Sequence, residues 1–256
     1  MTGTRRIAMR VRYDGTDFHG SQLQSGQRTV SGTLTTELSS LLGQDVHLLW
    51  AGRTDSGVHS DGNVCAFDAQ PAMPVDNLAV MLNDHLPADL RITGQWEAAA
   101  EFHPRFDALM RTYTYRIWRG SLAPVDRYRY VLEHGSWLEL CGLRRIAGLF
   151  SGEHCFRAFC KQPEEGDACM CTLEEPVLAE DGPEVRIVIR GNRFLRHMIC
   201  RLVGAMIAAC EGRLAVDDVT AALQAGGGEL RLNPAPARGL TLTWVDYEGL
   251  PRDGRN

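Results

Sequence analysis

The sequence predicts an α+β protein built as two lobes with their sheets side by side. Three observations carry that prediction. Strand-like and helix-like segments follow one another along all 256 residues. The two halves hold a similar mix of both. A hydrophobic fraction of 44%, with no low-complexity segment or short-period repeat, supplies material for a sizeable core. The length fits one large domain or two small ones. The expected division is a first lobe over residues 1–110, a second over 111–250, and a tail at 251–256 that frays.

In the first half, Ile7, Met9, Val11 and Tyr13 alternate with other residues until Asp14-Gly15 breaks the run, which reads as a strand and a turn. Val30, Leu34, Leu38, Leu41 and Leu42 recur at helical spacing, and Gly43 closes that helix. His47 to Gly52 reads as a strand. In the next strand Asn63, Cys65 and Phe67 share one side, with Val64 and Ala66 on the other. Asp76 is a candidate cap for a helix through Leu82, stopped before Pro87.

The second half opens on a strand in which Tyr113, Tyr115 and Ile117 share a face. Leu138 to Phe150 reads as a helix, and Leu173 to Leu178 and Val185 to Arg190 as strands. The strongest helical pattern runs from about Phe194 to Glu211. Asp217 is a candidate cap for a further helix through Leu223, which Gly226-Gly227-Gly228 would break. "GLTLTWVDY" closes the chain as a strand.

A net charge of -5 does not mark a nucleic-acid binder through global charge. Lys161 is the single lysine, so nearly every cation is an arginine, the better residue for forked phosphate contacts. Compositional bias explains the same excess. No stretch reaches the roughly 18 apolar residues of a membrane span, and the N-terminus lacks a signal-peptide pattern. The expected setting is therefore the reducing cytoplasm, with the eight cysteines as free thiols. His154, Cys155, Cys160, Cys169 and Cys171 cluster, but their spacing matches no common zinc pair, so no metal is expected.

The chemistry concentrates in "LLWAGRTDSGVHSDG", Leu48 to Gly62. An apolar run gives way to Arg53, Asp55, His59 and Asp61 among three glycines. A surface ion pair in a turn is the ordinary reading of such a loop. The loop nevertheless starts from an apolar strand, and its glycines suit close approach of a ligand or another backbone. A carboxylate held near an arginine stays ionised and can serve as nucleophile or base.

Seven blocks, "YDGTDFHGSQ", "AGRTDSGVH", "LNDHLPADL", "FHPRFDA", "RTYTYRIWR", "GNRFLRHMICRLVGAMI" and "APARGLTL", occur in an order that resembles the tRNA pseudouridine synthase A (TruA) family, from about Ile7 to Tyr247. The resemblance implies the pseudouridine synthase fold, two α/β lobes with side-by-side antiparallel or mixed sheets and a central cleft. It implies isomerisation of uridine to pseudouridine in the anticodon stem-loop of tRNA by a homodimer, with no cofactor. Asp55 falls on the family's essential aspartate, acting as nucleophile or as the base that helps form a glycal. Arg53 falls on the arginine that pairs with it and helps displace the neighbouring base. Tyr113 falls on the tyrosine that stacks on the uracil and is a candidate for removing the C5 proton.

Further candidates are more open. Leu240 matches a position that packs against the base, and is equally readable as core. His59 is expected to orient the loop through a hydrogen bond. Arg196 and His197 either meet phosphate at the start of the long helix or form a solvated helix face. His103 and Arg105 either line the RNA path or brace the junction between lobes. Ser21 stands where the family usually has a tryptophan, and Cys171 where it usually has an arginine. The segment Cys160 to Ala168 is acidic. Fewer cations and less aromatic surface favour, as an alternative, the same isomerisation on a free uridine nucleotide. A catalytically idle RNA-binding protein is the third reading, which the set Arg53, Asp55 and Tyr113 opposes.

Overall fold

A computed structural model describes residues 3–70, 74–120, 122–161, 169–224, 230 and 233–250. The tail at 251–256, the break at Gly226 to Gly228 and most of the acidic stretch 160–168 lie outside the described residues. In chain order the first elements are β1 (Arg5–Tyr13), α1 (Val30–Leu42), β2 (Leu49–Trp50), β3 (His59–Ala69), α2 (Val75–His85), β4 (Leu90–Ala98), β5 (Met110–Arg119) and β6 (Leu132–His134). There follow α3 (Leu140–Gly148), β7 (Gly152–Cys155), β8 (Met170–Leu173), β9 (Val177–Asp181), β10 (Glu184–Gly191), α4 (Met198–Cys210), α5 (Val216–Gln224) and β11 (Leu240–Asp246). The chain folds into two compact units, Met1–Leu109 with Leu242–Asn256, and Met110–Thr241. The closing strand from Leu242 onward therefore belongs with the first unit, and not with the residues that precede it in the chain.

In the first unit β1 lies between β4 and β3, antiparallel to both. β2 and β11 also pair with β3. Ile7, Met9, Val11 and Tyr13 face the same way as Cys65, Phe67 and Ala69, and α1 and α2 cover that face with Val30, Leu34, Leu38, Leu78 and Leu82. The period-2 pattern of the strands and the 3.6 pattern of the helices thus meet in one core. Thr29 caps α1 by accepting from Gly32 N–H, and Gly43, at φ +64°, ends it in the left-handed region.

Several boundaries differ from expectation. The strand expected from His47 to Gly52 shrinks to β2, and just past it Asn63 Nδ2 donates to the Gly52 carbonyl (3.0 Å). Pro74 stands at the N-cap of α2, and Asp76 lies inside its first turn, where a carboxylate favours the helix dipole without capping. That helix runs on to His85. Sequence pattern does not predict β4; Gly94 and a bulge between Arg10 and Val11 blur its alternation.

The second unit has the strand order β5-β10-β8-β7, with β6 parallel to β5 and β9 antiparallel to β10. This parallel pair makes its sheet mixed. The strand expected over Leu173 to Leu178 splits into β8 and β9 around Glu174-Glu175-Pro176, since proline cannot donate to a ladder. The helix expected over Leu138 to Phe150 is confined to α3. α4 starts at Met198 instead of Phe194, because His197 sits at φ 58°, outside the helical region. Asp217 lies in the first turn of α5 and does not precede it. No helix among the described residues is long and apolar enough to cross a membrane.

The cysteines also depart from expectation. Cys155 and Cys169 form a disulfide, with Cα atoms 4.8 Å apart. Cys155 pairs with Met170 across β7 and β8, so its antiparallel neighbour Cys169 falls within bonding reach. Cys65, Cys141, Cys160, Cys171, Cys200 and Cys210 remain thiols. No group of three or more His, Cys, Asp or Glu among the described residues is arranged to hold a metal ion.

Candidate active site

Arg53 and Asp55 lie in the connection from β2 to β3, and His59 is the first residue of β3, all in the first unit. Exposure alternates along the connection: Arg53 is exposed, Thr54 buried, Asp55 half-buried. Thr54 thus turns inward, and the two charged residues on either side of it turn away from the core.

What fixes this loop is a set of buried polar groups. The Thr54 hydroxyl lies 2.8 Å from Tyr13 Oη, and Asn63 Nδ2 donates to that phenol (3.3 Å) as well as to the Gly52 carbonyl. Burial holds the Tyr13 phenol above its ordinary pKa, so it stays protonated as a bridge. On the other side, Ser21 N–H donates to Thr54 O (3.0 Å) while Thr54 N–H donates to Ser21 Oγ (2.8 Å). Ser56 Oγ donates to Phe18 O (3.2 Å), and Val58 N–H closes a turn on Asp55 O (3.1 Å). Gly20, at φ +86°, permits this approach, since a Cβ there would lie 2.8 Å from Thr54 O. The block "YDGTDFHGSQ" is therefore the mould in which the Asp55 loop is set.

His59 is buried, and its Nδ1 accepts from Gly15 N–H at 3.0 Å. Asp14 Oδ1 lies 3.2 Å from the same nitrogen. The backbone donor makes that nitrogen an acceptor, so the imidazole braces the mould. Sequence reasoning missed Tyr13, Ser21, Thr54 and Asn63 as a support. The one readable signal was Asn63, a polar residue on the core-facing side of β3.

His103 and Arg105 lie on a separate turn of the same unit. His103 N–H donates to Asp107 Oδ2 (2.9 Å), Arg105 N–H donates to His103 Nδ1 (3.1 Å), and the His103 ring lies 4.3 Å from that of Phe106. Tyr247 Oη donates to Pro104 O (2.7 Å), which anchors the turn.

The second unit holds Tyr113, Leu240, Arg196 and His197. Tyr113 is buried on β5, with the ring of Phe194 against it. Leu240 is buried at the start of β11, after a turn in which Gly239 passes over Tyr115. Arg196 is exposed, and both it and His197 precede α4, so they do not form a helix face. Ser21 and Cys171 are each only 1% exposed. The side chains that stand in for the family's tryptophan and arginine are thus interior packing, and burial pushes the Cys171 thiol up to about 11.

Known proteins resemble this chain over most of its length. A family model described as tRNA pseudouridine synthase matches residues 9–107 and 146–248. The tRNA pseudouridine synthase A of Halalkalibacterium halodurans is 35% identical over 92% of this chain and 90% of its own. That of Solibacter usitatus is 36% identical over 95% of this chain and all of its own. That of Roseiflexus castenholzii is 36% identical over 98% of this chain and 92% of its own. The chain belongs to the tRNA pseudouridine synthase family.

Proposed function

We propose that this protein isomerises uridine to pseudouridine in the anticodon stem-loop of tRNA, acting in the cytoplasm as a homodimer. The observation that carries the reading is the Asp55 loop itself. A half-buried carboxylate is presented on a backbone locked from both sides, as a reacting group must be. The reaction breaks N1–C1′, forms C5–C1′, removes a proton from C5 and leaves one on N1. Atoms and electrons balance within the substrate, so the chemistry requires no redox group. Asp55 attacks C1′, or removes the C2′ proton to give a glycal. Tyr113 supplies the aromatic face that holds the uracil while it is detached, and a group for the C5 proton. Arg53, exposed beside Asp55, takes the place of a displaced base, and Leu240 packs against the uracil. His59 holds the loop, and Arg196, His197, His103 and Arg105 meet phosphates or the RNA path.

The free uridine nucleotide is the weaker reading. It rests on Ser21 and Cys171, both buried, and on the acidic segment 160–168, most of which lies outside the described residues. One assay decides. The protein and its Asp55→Ala variant are incubated with an unmodified tRNA transcript carrying tritium at uridine C5, and separately with labelled UMP. Tritium release and pseudouridine from tRNA with the unaltered protein alone is the expected result. Product from UMP only overturns it. Deuterium at C2′ separates the two roles of Asp55, because only glycal formation breaks that bond.

A further inference from the structure

Phe194 makes a contact that the steps above leave unused. Its ring centroid lies 5.1 Å from that of Tyr113, with the planes at 77°, an edge-to-face pair. Phe194 belongs to the connection from β10 to α4, and this connection is tied down on both sides of it. Asn192 and Thr172 exchange two bonds, Asn192 N–H to Thr172 O (3.1 Å) and Thr172 N–H to Asn192 Oδ1 (3.0 Å). Arg111 Nη1 donates to Asn192 O at 2.8 Å. Beyond the ring, Lys161 N–H donates to Arg196 O (3.0 Å) and Met198 N–H to Leu195 O (3.1 Å).

The seat for the ring is Gly191. In the β10–β5 register Ile189 faces Tyr113 and Gly191 faces Arg111, so Gly191 is one diagonal step from Tyr113. A Cβ at Gly191 would lie 3.0 Å from Phe194 Cζ and 2.4 Å from Leu173 Cδ2. The missing side chain at Gly191 leaves room for the Leu173 side chain and, beside it, for the Phe194 ring.

We propose that Phe194, seated on Gly191, is a positioning residue that fixes the plane of the Tyr113 ring during isomerisation. The inference rests on the reading of Tyr113 given above. Once N1–C1′ is broken, the uracil is held only by non-covalent contacts and must turn until C5 faces C1′. The tilt of the aromatic face it rests on then decides how often it arrives aligned. A misplacement of about 1 Å costs roughly 100-fold in such a step. Phosphate contacts elsewhere, which set tRNA affinity, are untouched by that tilt.

The test compares Phe194→Ala, Phe194→Leu and Gly191→Ala with the unaltered protein. It measures the single-turnover rate at saturating tRNA, the tRNA Kd, and the isotope effect of deuterium at C5, with thermal melting as a folding control. The expected result for Phe194→Ala is a rate lower by about 10- to 100-fold, an unchanged Kd and a smaller C5 isotope effect, since alignment of the base then limits turnover more than removal of the C5 proton. Phe194→Leu falls between. Gly191→Ala, whose methyl presses on Leu173 Cδ2 and on the Phe194 ring, repeats the pattern should Phe194→Ala fail to fold. An unchanged rate, or a rate and Kd that worsen together with a constant isotope effect, overturns the proposal. Tyr113→Ala is run alongside. If it keeps full activity, the reading of Tyr113 itself fails. If it is inactive while Phe194→Ala is normal, only the role of Phe194 falls.

Discussion

The two units hold their candidate residues by opposite means. Asp55 is carried on a loop clamped by directional bonds from Tyr13, Ser21, Thr54 and Asn63, all buried. Tyr113 is carried on a regular strand and met by the ring of Phe194, and the hairpin of β7 and β8 in the same unit is closed covalently by Cys155–Cys169. A polar clamp specifies one backbone position, and each bond removed leaves a buried partner unsatisfied. Ring packing on a strand tolerates small shifts but sets the angle of a face. On the proposed roles, a charge that must meet one atom suits the first device, and a surface that must hold a turning base suits the second.

The comparison breaks most sharply at the proposed reacting group. Asp55→Ala is expected to lower the rate of pseudouridine formation by about 10,000-fold or more, in the range that removal of one member of a catalytic set costs. The clamping bonds among Tyr13, Ser21, Thr54 and Asn63 do not involve the Asp55 side chain. Thermal stability and tRNA Kd should therefore stay close to those of the unaltered protein. A large loss of stability would show that Asp55 is part of the mould and not only its cargo.

The next largest effect belongs to the second unit. Reduction of Cys155–Cys169 by a dithiol such as dithiothreitol should lower stability by about 3 kcal/mol, the chain-entropy value for a bridge of this span. Denaturant unfolding with and without the reductant measures it. Hydrogen exchange at Thr54 N–H, which reports on the Asp55 loop, should not change. Loss of protection there would show that the two devices are coupled.

The same contrast explains what the sequence disclosed. Strand and helix periods placed β1, α1, β5 and β10 because each buries one regular face. β4 escaped because Gly94 and a bulge interrupt its alternation. The start of α4 was misplaced because His197 takes a left-handed conformation that apolar spacing does not encode. The charged loop stood out as a candidate for chemistry, since Arg53 and Asp55 follow an apolar run. Its support did not, because Ser21, Thr54 and Asn63 come together only when the chain segments 13–21, 52–56 and 63 are folded against one another. The disulfide was hidden for a similar reason: nothing in the spacing of Cys155 and Cys169 reveals that β7 and β8 pair.

The smallest effects grade the clamp itself. Asn63→Ala removes the donor to Gly52 O and to Tyr13 Oη and the acceptor for Val64 N–H, and should cost about 2 kcal/mol. Ser21→Ala leaves Thr54 N–H without its hydroxyl acceptor, while Ser21 N–H still donates to Thr54 O, and should cost about 1 kcal/mol. Urea midpoints at constant slope give both values. If the clamp exists to place Asp55, the activity of the two variants should fall further than their stability requires, at temperatures where both are fully folded. Asn63→Ala should lose more than Ser21→Ala, since it frees the Gly52 end of the loop as well as the Tyr13 bridge. Activity that simply follows the folded fraction would instead make the clamp a matter of stability alone. The locked backbone would then be no argument for Asp55.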